Sequence, residues 1–174
     1  FILANKVILV EGATEQLIVP YLFEMVNLSE KRTLESEGID VISCNGLSYK
    51  RYLKIANILN KKVAVMTDND GSDDKISEIV TYNSSNATSK IFTPSSIEEY
   101  TWEVSLKKEN EILIDQLVKI KPDAKYKING IELEDKKLAY MLLNKVDTSM
   151  QLINSQKQIN IPNYLKELFK WIKE

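Results

Sequence analysis

The chain has 174 residues, of which 44% are hydrophobic and 28% charged, with a formal net charge of −2; this suits one soluble globular domain that buries roughly two-thirds of its unfolded surface. The absence of histidine excludes His-dependent triads, His-liganded zinc and imidazole acid–base catalysis, and the single cysteine, Cys44, allows no internal disulfide. No apolar run approaches the roughly 20 residues of a membrane span, and the charge balance gives no global positive field for holding nucleic acid by phosphate neutralisation alone.

In chain order, the opening Phe1-Ile-Leu-Ala lacks an initiator Met and is too short for a signal peptide, so a cytoplasmic domain cut from a longer protein is expected. The pattern predicts a strand over Lys6 to Val10 and a helix over Thr14 to Val26. Thr14 is its N-cap, and Pro20 kinks it or ends its first segment. A strand from Ile39 to Cys44 follows, then a helix from Leu47 to Leu59, a strand from Lys62 to Thr67, a helix from Ser72 to Tyr82 and a strand from Lys90 to Thr93. Val7-Ile-Leu-Val10 and Val63-Ala-Val-Met66 are continuously apolar, as in strands buried on both faces of a parallel sheet. Cys44 then reads as a buried strand thiol. Beyond Pro94 the periodicity is helical, over Leu106 to Ile120, Leu133 to Leu143 and Tyr164 to Ile172, with a turn at Pro122-Asp-Ala. The polar stretch Asp147 to Asn163 reads as a loop or weak helix. The fold class expected is α/β: a mainly parallel, Rossmann-like central sheet flanked by helices, with a helical C-terminal portion.

Two of these strands end in acids. The first delivers Glu11, with Glu15 one turn into the next helix, and the other delivers Asp68 and Asp70, followed by Asp73 and Asp74. In an open parallel sheet, ligands bind beyond the carboxyl ends of the strands, at the point where strand order reverses. Strand alternation places Asp68 and Asp70 on one side with Asn69 turned away. Gly12 and Gly71 permit tight turns after the acids. Converging carboxylates repel one another unless a cation neutralises them, and all-oxygen ligand sets favour magnesium or manganese. Taken singly, Glu15 also reads as a first-turn acid favoured by the helix dipole, and Asp73 and Asp74 as solvated helix-start residues. An EF-hand loop starting at Asp68 fails, because Asp73 and Ile79 stand where Gly and Glu are required. A haloacid-dehalogenase-like phosphatase with Asp68 as nucleophile, and a non-catalytic metal-binding regulatory or interaction domain, are the competing readings. The phosphatase reading leaves Glu11, Gly12 and Glu15 without a role.

With these residues in view, the chain resembles a Toprim domain, whose pattern is a Glu ending the first strand and an Asp-x-Asp ending a later one. Leu9-Val-Glu-Gly-Ala-Thr-Glu15 with Pro20 is similar to the Toprim half of the OLD (overcoming lysogenisation defect) family of ATPase-linked nucleases. The resemblance implies a catalytic core over residues 1–104 and a helical extension over 105–174 that completes the domain and contributes a Lys. It also implies a metal-dependent DNA endonuclease, in antiphage defence or phage biology, that hydrolyses phosphodiesters with two magnesium or manganese ions. Glu11, Glu15, Asp68, Asp70, Asp74 and Glu103 are the metal candidates; Glu11 is also a candidate general base. Glu103 comes from Tyr100-Thr-Trp-Glu-Val-Ser-Leu106, where Trp102 replaces the family's Leu and Glu98 or Glu99 is a rival acid. The family's late Lys maps to Lys136 or Lys137, ahead of Leu138. DNA is the implied partner, with an N-terminal ABC-type ATPase domain that dimerises. No phosphate-binding Gly-x-x-x-x-Gly-Lys-Ser/Thr motif occurs in this sequence, so any ATP would bind through that domain.

Overall fold

Val7 to Val10 and Val63 to Met66 carry no polar side chain and become the two central strands of a parallel sheet. The computed structural model describes residues 1–121, 125–128 and 130–174; the turn expected at Pro122 to Ala124 lies outside them. Strands β1 (Lys6–Val10), β2 (Ile39–Ser43), β3 (Lys62–Met66) and β4 (Ser89–Phe92) pair in parallel in the order β2-β1-β3-β4. The chain steps outward from β1 to β2 and then returns to β3. Strand order therefore reverses between β1 and β3, and the crevice beyond their carboxyl ends is the place for a ligand.

Period-2 alternation divides the strand residues between two cores. Ile8, Val10, Ala64 and Met66 face α1 (Ala13–Val26), α4 (Trp102–Glu109), α5 (Glu111–Leu117), α7 (Lys145–Ser155) and α8 (Asn163–Lys173). Val7, Leu9, Val63 and Val65 face a smaller core with α2 (Tyr49–Ile58) and α3 (Asp73–Ser85). In the larger core Phe23 of α1 meets Phe169 of α8 edge to face, with ring centroids 5.4 Å apart. Leu152, Leu165 and Phe169 join Ile8 and Phe23 there, so the C-terminal helices share the core of the sheet. No helix among the described residues is long and apolar enough to cross a membrane.

Several local expectations are corrected. α1 does not end at Pro20 but continues to Val26, because Ile18, Val19, Leu22 and Phe23 around it are fully buried and their packing outweighs the missing backbone hydrogen bond. Its N-cap is Gly12 rather than Thr14, with the Glu15 carboxylate closing back on the Gly12 N–H. The helix expected from Leu106 to Ile120 breaks at Asn110, whose amide donates to the carbonyls of Leu106 and Asn160. α6 (Lys136–Leu143) starts later than Leu133, where the Asp135 carboxylate accepts from the N–H groups of Lys137 and Leu138. For the polar stretch from Asp147, read as a loop or weak helix, the helix alternative holds as far as Ser155: it contains most of α7, which packs along α1 with Thr148, Ser149 and Leu152 buried. β2 ends at Ser43, so Cys44 is buried just past the strand. A short antiparallel pair, β5 (Lys127–Ile128) with β6 (Ile131–Glu132), escaped the sequence pattern because each strand has only two residues.

Candidate functional site

Glu11 follows β1 and Thr67-Asp68 follow β3, so all three sit at the switch point. The Thr67 hydroxyl donates to a carboxylate oxygen of Glu11, tying the two strand ends together. Glu15 returns from the first turn of α1 and is almost fully buried. Its Oε2 accepts the Gly12 N–H at 3.0 Å, and its Oε1 accepts the indole N–H of Trp102 at 3.1 Å. The role of Gly12 is close approach rather than a left-handed turn: its φ is −138°, and a Cβ there would lie 3.1 Å from Glu15 Oε2.

α4 brings the third group of residues. Thr101 caps it by accepting from the Val104 N–H, which leaves the N–H of Trp102 at the first helical position free to donate to Asp68 Oδ1 at 3.1 Å. The next residue, Glu103, has no exposed surface. Lys145 of α7 places Nζ 2.8 Å from Glu103 Oε1, off the hydrogen-bond direction, so the contact is an ion pair; Oε2 meets no donor among the described residues.

These environments set the protonation chemistry. Burial pushes Asp68 up to about 7, reinforced by the neighbouring charges of Glu103 and Glu11 and opposed by Lys145 and the Trp102 N–H. Glu103 is also raised by burial, against the pull of Lys145. Burial works against the Lys145 ammonium, but Glu103, Asp68 and Glu15 outweigh it and hold its pKa above the ordinary lysine value. Burial raises Cys44, with Glu11 adding to it, so its thiol stays protonated and inert.

The structure separates the remaining candidates from this group. β3 ends at Met66, so alternation no longer governs residues 68–70, and Asn69 rather than Asp70 turns inward. The Asn69 amide donates to the carbonyls of Pro94 and Ser96 and accepts from the Gly71 N–H. Asp70 is left-handed at φ 56°, its side chain is 69% exposed, and Lys75 pairs with it at 2.7 Å. Asp73 and Asp74 are exposed in the first turn of α3, and Asp74 lines a groove of about 820 Å³ between α2 and α3. Of the rival acids, Glu98 is exposed and Glu99 pairs with Lys108 at 2.6 Å. Lys136 is exposed, and Lys137 donates to the backbone carbonyl of Asp115.

The lysine beside the acids is Lys145, which the sequence pattern did not single out. Lys145, Thr148, Ser149 and Leu152 share one face of α7 at helical spacing, but only Leu152 is apolar, so the face gave no hydrophobic signal. Thr67 and the indole of Trp102 were likewise invisible as partners of Glu11 and Glu15.

The donor set suits a hard cation: every candidate ligand atom is a carboxylate oxygen, Glu103 Oε2 is buried without a partner, and Asp68 and Glu103 destabilise each other as anions. As placed, among the described residues no three such side chains stand close enough to hold one ion. Glu11 and Glu103 each spend an oxygen on Thr67 and Lys145.

Residues 2–70 match the family described as the Toprim domain of overcoming lysogenization defect protein-like proteins. The fold is similar to that of the C-terminal region of the Burkholderia pseudomallei OLD protein, with a TM-score of 0.64, 18% identity, and coverage of 98% of this chain and 97% of that one. It is also similar to the C-terminal region of the Xanthomonas campestris pv. campestris OLD protein, phased with mercury, with a TM-score of 0.58, 20% identity, and coverage of 99% and 96%. No curated protein matches the chain.

Proposed function

We propose, on the family match over residues 2–70 and the shared fold, that the chain is a Toprim domain of an OLD-family protein, a family associated with nuclease function, and that it is a divalent-metal-dependent DNA endonuclease domain. One observation carries the reading: Glu103 and Glu15 are buried and Asp68 half-buried beside Lys145 at the switch point, with Asp68 pushed up to about 7. Buried acids crowded to this degree are costly unless the site uses them.

Asp68, Glu103, Glu11 and Glu15 would hold magnesium or manganese, and Asp70 joins by exchanging Lys75 for the cation. Bound there, a pair of such ions would neutralise the scissile phosphate and activate water for in-line attack. Glu11, the most exposed of the four, would either bind metal or serve as the general base that accepts the proton of the attacking water. Lys145 takes the role assigned from sequence to Lys136 or Lys137: its ammonium stabilises negative charge growing on the phosphate. Asp68 must be ionised to bind a cation, so metal affinity falls as pH drops below about 7. We further propose that the domain works beside an ABC-type ATPase domain of the same protein, which supplies ATP binding and dimerisation.

The test is nicking of supercoiled plasmid by the purified domain with magnesium, manganese or EDTA, beside Glu11→Ala and Asp68→Ala. Metal-dependent nicking lost at least 100-fold in both variants is expected. Full activity in both variants would sink the assignment, and turnover of a small phosphate ester in place of DNA would favour a phosphatase.

A further inference from the structure

Trp102 is one of two tryptophans in the chain and is fully buried in the larger core. Both of its N–H groups are spent on site carboxylates: the backbone N–H on Asp68 Oδ1 and the indole N–H on Glu15 Oε1, each at 3.1 Å. Asp68 follows β3, Glu15 rides on α1, and the adjoining Glu103 rides on α4 with Trp102 itself. One residue thus joins the three segments that carry these acids. Packing against the core keeps the ring from swinging, so the indole N–H is a fixed donor. With Gly12 on its other oxygen, Glu15 is held in one orientation.

We propose that Trp102 is a positioning residue of the carboxylate site, whose indole N–H fixes Glu15 and whose backbone N–H fixes Asp68. The inference rests on the nuclease reading for its consequence, but the link between Trp102 and Glu15 can be measured without it. Leu at this position would keep the backbone bond to Asp68 and lose the hold on Glu15. Phe would keep most of the aromatic bulk and lose the same bond. Loss of a residue that orients metal ligands costs about 10- to 100-fold in metal affinity.

Two measurements on the whole domain test this. In a ¹⁵N spectrum the two tryptophans give two indole signals, and Glu15→Gln is expected to move the one that Trp102→Phe removes. In Mn²⁺ calorimetry Trp102→Phe is expected to weaken binding about tenfold, but to cost little more in a Glu15→Ala background, because both substitutions break the same bond. An unmoved indole signal, wild-type Mn²⁺ affinity in Trp102→Phe, or additive losses would overturn the proposal. If Trp102→Phe does not fold, the signal lost on Trp171→Phe identifies the other indole, and its response to Glu15→Gln decides. A moved signal in a domain that neither binds Mn²⁺ nor nicks DNA upholds the link between Trp102 and Glu15 and overturns the nuclease reading.

Discussion

At the carboxyl end of the sheet, the face covered by α1, α4 and α7 and the face covered by α2 and α3 carry the same residue types in opposite environments. On the first, Glu15 and Glu103 are buried, Asp68 is pushed up to about 7, and the acids are held by Gly12, Trp102 and Lys145. On the second, Asp73, Asp74 and Glu78 are exposed, and Lys50 pairs with Glu78 at 3.7 Å. Such surface pairs contribute little to stability. Acidity alone therefore does not mark the site; burial against the thicker core does, because there each charge depends on a specific partner.

The sharpest way to break this contrast is Lys145→Met, which leaves Glu103 buried without its cation. Leaving Glu103 enclosed without its cation costs about 3 kcal/mol, the low end for a buried pair because the Lys145 side chain is itself 34% exposed, read by urea unfolding at pH 8. Burial already raises the Glu103 pKa, so the folded variant takes up a proton as pH falls, and the loss shrinks at pH 5. An equal loss at both values would contradict the burial argument.

Asp68→Asn has a smaller effect of the opposite sign. The folded protein keeps the Asp68 proton up to about pH 7, whereas the unfolded chain releases it near 3.8. Between these values the native state binds more protons, so this residue's contribution falls as pH rises through the window. Thermal melts should show the wild type losing stability relative to Asp68→Asn from pH 4 to pH 7, by on the order of 2 kcal/mol. Parallel pH profiles would return Asp68 to the solvated class.

On the other face, Asp74→Asn and Glu78→Gln should each change stability by no more than about 0.5 kcal/mol at any pH, measured by the same melts. A loss comparable to that of Lys145→Met would erase the contrast.

The sheet was legible because β1 and β3 are continuously apolar, and the acids at their ends marked the switch point before any packing was known. Glu103 could be named only through the family pattern, since nothing in its spacing separates it from Glu98 and Glu99. Asp70 was misplaced because alternation was carried beyond Met66, where the chain has left the strand and Asn69 finds two carbonyls to bond. Lys145 was hidden by the composition of α7, whose buried face presents Thr148 and Ser149 where apolar residues would have announced a helix. Pro20 misled in the other direction, a local helix breaker overridden by a fully buried face.

The most direct test of the central claim is Mn²⁺ calorimetry at pH 8 on the wild type, Asp68→Ala and Asp74→Ala. Binding lost in Asp68→Ala and kept in Asp74→Ala is the predicted result. Binding that survives Asp68→Ala, or that Asp74→Ala abolishes instead, would contradict the placement of the site among the buried acids.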